Sequence, residues 1–133
     1  MNRSGEYARA LLEKARGDLY VLERLAGDAA APPWSVGFHA QQAAEKALKA
    51  VLASKSIEFP RTHNLAVLLD LLRDAAMPLP PDGQDLPRLT PFGAAMRYDA
   101  ESEGDADKSL DRTWTVQAAQ QTVAWAEEIL KAL

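Results

Sequence analysis

The sequence predicts an all-α fold, an up-and-down bundle of four main helices with room for a fifth short or split one, and three observations carry that expectation. Twenty-five alanines and eighteen leucines face only thirteen Val, Ile and Thr residues, a composition that favours helix over sheet. Apolar residues recur at three- and four-residue steps in successive stretches. Proline and glycine clusters separate those stretches, and no internal repeat or low-complexity linker divides the chain, so residues 1–133 read as one domain.

The first helix is expected over residues 4–26. Ala8, Leu11, Leu12, Ala15, Leu19, Leu22 and Ala26 form its apolar stripe, Arg9, Glu13, Arg16 and Glu23 fall between them, and Ser4 is placed to cap the start. Gly27 and the Pro32–Pro33 pair end it. A second helix then runs from Trp34 to Ser54, with Ala40, Ala44, Ala47, Leu48, Val51 and Leu52 inward. Pro60 breaks the pattern, Thr62 is placed to cap a shorter third helix marked by Leu65, Leu68, Leu69 and Leu72, and that helix stops before Pro78. A fourth stretch, Asp85 to Ala100, carries Pro87, Pro91 and Gly93 and is therefore expected to be broken or late-starting. Residues 99–107, with five acids and no base, read as a solvated loop, and a last helix from Asp107 to Leu133 closes the bundle.

Composition narrows the function. The formal net charge of −4 gives no global electrostatic case for duplex nucleic acid, so any RNA contact has to be local. Without cysteine there is neither a disulfide framework nor a thiolate metal site. The acidic run fails as a calcium loop, since Leu110 stands where a loop starting at Asp99 needs its bidentate glutamate, and neither histidine belongs to a Glu-x-x-His set; no metal and no cofactor is expected. Phosphate-cradling and nucleophile-elbow motifs are missing. The charged start does not read as a signal peptide, and the two longest uncharged runs, 29–44 and 113–126, are too short for a membrane span, so a cytoplasmic protein is expected.

The second helix carries an ordered polar stripe. Helical spacing sets His39, Gln42 and Lys46 in one row and Gln41, Glu45 and Lys49 in the next, beside an alanine-rich face. Two readings follow: a solvated face beside close helix packing, or a polar groove. The segment Phe38-His39-Ala40-Gln41-Gln42-Ala43-Ala44-Glu45-Lys46-Ala47-Leu48-Lys49, followed by Thr62-His63-Asn64-Leu65 and by Arg97-Tyr98, resembles the signature of the HEPN family, the nucleotide-binding helical domains of higher eukaryotes and prokaryotes. The resemblance spans about Arg9 to Ile129. It implies a four- or five-helix bundle that pairs as a homodimer. It also implies association with a minimal nucleotidyltransferase, often in toxin–antitoxin systems.

Active members of that family are metal-independent ribonucleases whose motif is an arginine, four to six arbitrary residues, and a histidine. Here Arg97 matches the arginine, but Ser102, Glu103 and Gly104 occupy the histidine positions and no histidine follows His63. Cleavage through the 2′-hydroxyl needs a proton acceptor near neutrality and a cation to offset phosphate charge, and this acidic stretch supplies neither. The expected function is therefore a non-catalytic binding component for a nucleotidyltransferase partner or a nucleotide or RNA ligand. Its candidate ligand contacts are His39, Gln42, Glu45, Lys46, Lys49, Arg97 and Tyr98. The alternatives are a divergent ribonuclease using Arg97 with His39 or His63, and a pure oligomerisation scaffold.

The uncharged stretch Thr113 to Ala126 bears on assembly. A surface helix of a monomer rarely runs so far without charge, and Trp114, Ala118, Gln121 and Trp125 share one face, so these four are the candidate homodimer contacts.

Overall fold

A computed structural model describes residues 3–93 and 110–132. It contains four α-helices, α1 (Arg3–Ala26), α2 (Pro33–Ser54), α3 (Leu65–Asp74) and α4 (Arg112–Leu130), together with a 3-10 segment, Leu86–Phe92. Among the described residues there is no strand, so the predicted all-α bundle holds, and the 3-10 segment is its short fifth element.

The central helix is α2, which packs against α1, α3, α4 and the 3-10 segment. Its alanines at 40, 43, 44, 47 and 50 are fully buried, and their small side chains let the flanking helix axes come close. On α1 the buried set is Gly5, Ala8, Leu12, Ala15 and Leu22, as the amphipathic spacing requires. On α4 it is Thr115, Ala118, Ala119, Thr122, Val123, Ala126 and Leu130. Arg16 pairs with Glu127 at 2.7 Å and Gln120 donates to Glu23 at 2.8 Å, tying α1 to α4 at the surface. Arg112 closes the other end, donating to the carbonyls of Asp28 and Ala31 in the α1–α2 connection.

Several ends differ from the sequence expectation. Helix α1 already includes Arg3, so Ser4 lies inside the first turn, where its hydroxyl meets that of Ser56 at 2.9 Å instead of capping. Helix α2 begins at Pro33, whose fixed φ and missing N–H suit the first helical position. The cap of α3 is Asn64, which accepts from Ala66 N at 3.0 Å, while Thr62 accepts from Asn64 N one step earlier. Asp111 caps α4 by accepting from Trp114 N at 3.1 Å, so this helix starts at Arg112 and not at Asp107; residues 94–109 lie outside the described part.

The Asp85–Ala100 stretch is a 3-10 segment as far as it is described, and proline is the reason. Pro91 has no N–H for an α-type bond, and its ring would collide with the carbonyl four residues back. Leu86, Leu89 and Phe92, three residues apart, all turn inward, as a three-residue period dictates. Phe92 lies flat over Gly37 of α2, where a Cβ would enter the ring.

Two helices end in the same way. Ile57 N bonds Leu52 O at 2.9 Å with Ser56 N on Ala53 O, and Met77 N bonds Leu72 O at 2.9 Å with Ala76 N on Arg73 O. Both are Schellman caps, and each sets a non-glycine residue in the left-handed region, Ser56 at φ 57° and Ala76 at φ 55°. Ala76→Gly should therefore stabilise the fold by about 0.5–1 kcal/mol, measured by urea unfolding, because the Cβ penalty disappears while the cap bonds remain.

Candidate functional site

The polar stripe of α2 resolves into two carboxylate-centred clusters. In the first, Glu45 is 4% exposed and its two oxygens accept from three side chains. Gln41 Nε2 at 2.9 Å and His63 Nδ1 at 2.7 Å reach Oε1, and Lys49 Nζ at 2.9 Å reaches Oε2. Gln41, fully buried, also donates to the His63 carbonyl at 3.0 Å and accepts from Gln42 Nε2 at 2.6 Å. This row is thus no solvated helix face: residues 61–64 and the 3-10 segment cover it, and Gly93 packs on Gln41 and His63. Phe59 shields Lys49, whose ammonium stands 5.6 Å from its ring centroid.

Burial by itself would raise the Glu45 pKa, since it penalises the charged form. Hydrogen bonds from Gln41, Lys49 and His63, with the charge of Lys49, outweigh it and hold the carboxyl below its ordinary value of 4.5. An ionised carboxylate only accepts, so His63 donates through Nδ1 and presents Nε2 outward on a side chain that is 51% exposed.

The second cluster joins α1 to α2. Asp18 faces His39 Nδ1 through Oδ1 at 3.1 Å and accepts from Lys46 Nζ through Oδ2 at 2.5 Å. Phe38 packs edge-on against the His39 ring at 5.2 Å. The structure therefore divides the sequence candidates: His39 and Lys46 meet at Asp18, whereas Gln42, Glu45 and Lys49 join Gln41 and His63. Asp18 escaped the sequence reading. Its signal was an acid three residues after Ala15 and four before Leu22, within the apolar stripe of α1. Arg97 and Tyr98 lie outside the described residues.

The four candidate dimer contacts also separate. Ala118 is fully buried within the chain. Trp114 lies beneath Arg88, whose guanidinium carbon is 4.6 Å from the ring centroid. Gln121 and Trp125 line a groove of about 520 Å³ with Pro78, Leu79, Ala124 and Ile129. Among the described residues, no helix is long and apolar enough to cross a membrane, and no three His, Asp or Glu side chains converge to hold a metal ion.

A helical bundle whose central helix joins two carboxylate–histidine–lysine clusters to its neighbours defines a class of small helical domain. The family model described as HEPN domain matches residues 8–133, and the chain belongs to that family. Comparisons with curated proteins and with solved structures returned no match.

The depressed pKa of Glu45 sets a pH dependence. A carboxyl whose folded pKa lies below its unfolded value contributes stability that is complete above the unfolded value and lost as pH falls through the folded one. Wild-type stability should thus fall on acidification below about 4.5, and Glu45→Gln should flatten that limb in urea unfolding measured across pH. Glu45→Ala, which strands Lys49 and Gln41, should cost about 3 kcal/mol at neutral pH.

Proposed function

We propose that this chain is a non-catalytic, dimeric HEPN component that holds a nucleotide or RNA ligand and associates with a minimal nucleotidyltransferase, as in toxin–antitoxin-type systems. The observation that carries the reading is the pairing around α2: both lysines of the stripe, its His39 Nδ1 and the Nδ1 of His63 ahead of α3 are matched to Asp18 or Glu45. Such an arrangement leaves the outer edges of the imidazoles and the glutamine amide for ligand contact. Among the described residues of the stripe, neither lysine is left unmatched to offset charge at a phosphate undergoing cleavage. The sequence adds to this, with Ser102, Glu103 and Gly104 at the family's histidine positions after Arg97. A cytoplasmic setting belongs to the same proposal.

A second reading, the divergent ribonuclease using Arg97, is favoured by one feature. Glu45 orients a half-exposed His63, and Gly93, four residues before Arg97 in the chain, packs against that histidine, which makes His63 the stronger base candidate than His39. The purified protein is expected to bind single-stranded RNA or nucleotides and to leave RNA intact with or without EDTA. EDTA-insensitive cleavage that disappears in His63→Ala would establish the enzyme instead. Neither binding nor cleavage would leave a scaffold.

For assembly, the groove beside α4 is the surface we assign to a second copy. Its walls are mostly apolar, the composition that a self-complementary interface covers. A stable pair buries at least about 1,200 Å² in total. Ala124→Arg, at an exposed position of α4, should convert a dimer to a monomer in sedimentation velocity while leaving the helical circular-dichroism signal unchanged.

A further inference from the structure

The hydrogen bonds around Glu45 have a fixed polarity. The backbone carbonyl of His63 can only accept, so the end of the Gln41 side chain that meets it is the amide nitrogen, which donates to that carbonyl at 3.0 Å and to Glu45 Oε1 at 2.9 Å. Gln41 Oε1 then faces the other way. Gln42 can meet it only through its own amide nitrogen, at 2.6 Å, and the free end of Gln42 is therefore its side-chain oxygen.

On the other side of Gln41, the Lys49 ammonium at 2.9 Å from Oε2 keeps Glu45 ionised. Oε1 must then accept from His63 Nδ1, so the free end of His63 is Nε2, an acceptor in the neutral ring. His39 repeats the arrangement: Asp18, bonded to Lys46, takes Nδ1 at 3.1 Å and leaves Nε2. Among the described residues, the buried side-chain atoms without a partner are Thr115 Oγ1 and Trp125 Nε1. Gln42 and His39 are only partly buried and their free atoms are not in that set, so both reach solvent, and the His63 side chain is half exposed.

The outer edge of the stripe thus offers neutral acceptors: Gln42 Oε1, His63 Nε2 and His39 Nε2. Each carboxylate beneath them is matched by one lysine, which leaves no net charge to attract a cation. A phosphate would set its own acceptors against these, and a hydrocarbon would strand them. Their complement is an uncharged group that donates. We infer that the α2 stripe holds its ligand by a neutral hydrogen-bond donor, the 2′-hydroxyl of a ribose or the exocyclic amine of a base, and not by phosphate. The inference rests on the proposal that the chain binds a nucleotide or RNA, and it names the chemical group by which that ligand is recognised.

Fluorescence anisotropy with the full chain tests it, using labelled oligoadenylate RNA, oligouridylate RNA and oligodeoxyadenylate DNA of equal length, with inorganic phosphate as competitor at constant ionic strength. Gln42→Lys reverses the polarity at one point, since its ammonium still donates to Gln41 Oε1 while the outward acceptor becomes a cation. It should weaken oligoadenylate RNA about three- to tenfold, the worth of one hydrogen bond, with the helical circular-dichroism signal unchanged. Gln42→Met, which removes the acceptor and adds no charge, should weaken it likewise. Phosphate should not compete. Weaker binding of the DNA assigns the contact to the 2′-hydroxyl, and weaker binding of oligouridylate assigns it to the amine. Equal affinity for all three oligonucleotides, competition by phosphate, tighter RNA binding in Gln42→Lys, or RNA affinity undiminished in both variants overturns the inference and leaves the proposed RNA binding standing. Absence of binding to any oligonucleotide overturns the two together.

Discussion

Glu45 is an ionised carboxylate taken almost wholly out of water in a helix whose other inward positions are mainly alanine, leucine and valine. A charge so placed is tolerable only when hydrogen-bonded on both oxygens, and this condition fixes much around it. Gln41 must point inward, Lys49 must lie along the helix under Phe59, and residues 61–64 must come close enough for His63 to reach the carboxylate. Since Asn64 caps α3, the demand of one carboxylate also bears on where α3 starts. The 3-10 segment closes over the same place, with Thr90 Oγ1 accepting from Leu65 N at 3.3 Å and Gly93 against His63.

Small side chains make this polar centre compatible with a packed core. Alanines on several sides of α2 allow neighbouring helices to approach closely, so one helix contacts every other element described, and Gly37 admits the flat face of Phe92. The Asp18 cluster on the α1 side repeats the scheme of a carboxylate between an imidazole and an ammonium, with more exposure and thus less dependence on it.

Polar satisfaction differs between the two ends of this core. Around Glu45 the polar groups are matched within the protomer. On α4, Thr115 Oγ1 and Trp125 Nε1 are buried and unmatched. Membership of the HEPN family supplies the broad nucleotide-related context.

Helix content and the inward faces were legible in the sequence because they depend on local periodicity. The stripes of α1, α2 and α3 follow from three- and four-residue spacing alone, and the Phe38–Lys49 signature led to the family. Exact caps were less legible: Ser4, Thr62 and Asn64 all have capping chemistry, and the choice among them depends on backbone angles set by the packed chain. What only the tertiary structure decided is which polar row faces water. Asp18 is twenty-one residues before His39, and His63 is eighteen after Glu45, so neither pairing has a helical period to reveal it. The same holds for Arg88 over Trp114 and for the burial of Ala118. Periodicity assigns a residue to a face, but the element that covers that face is chosen by long-range packing, and burial, charge pairing and cavities all follow from that choice.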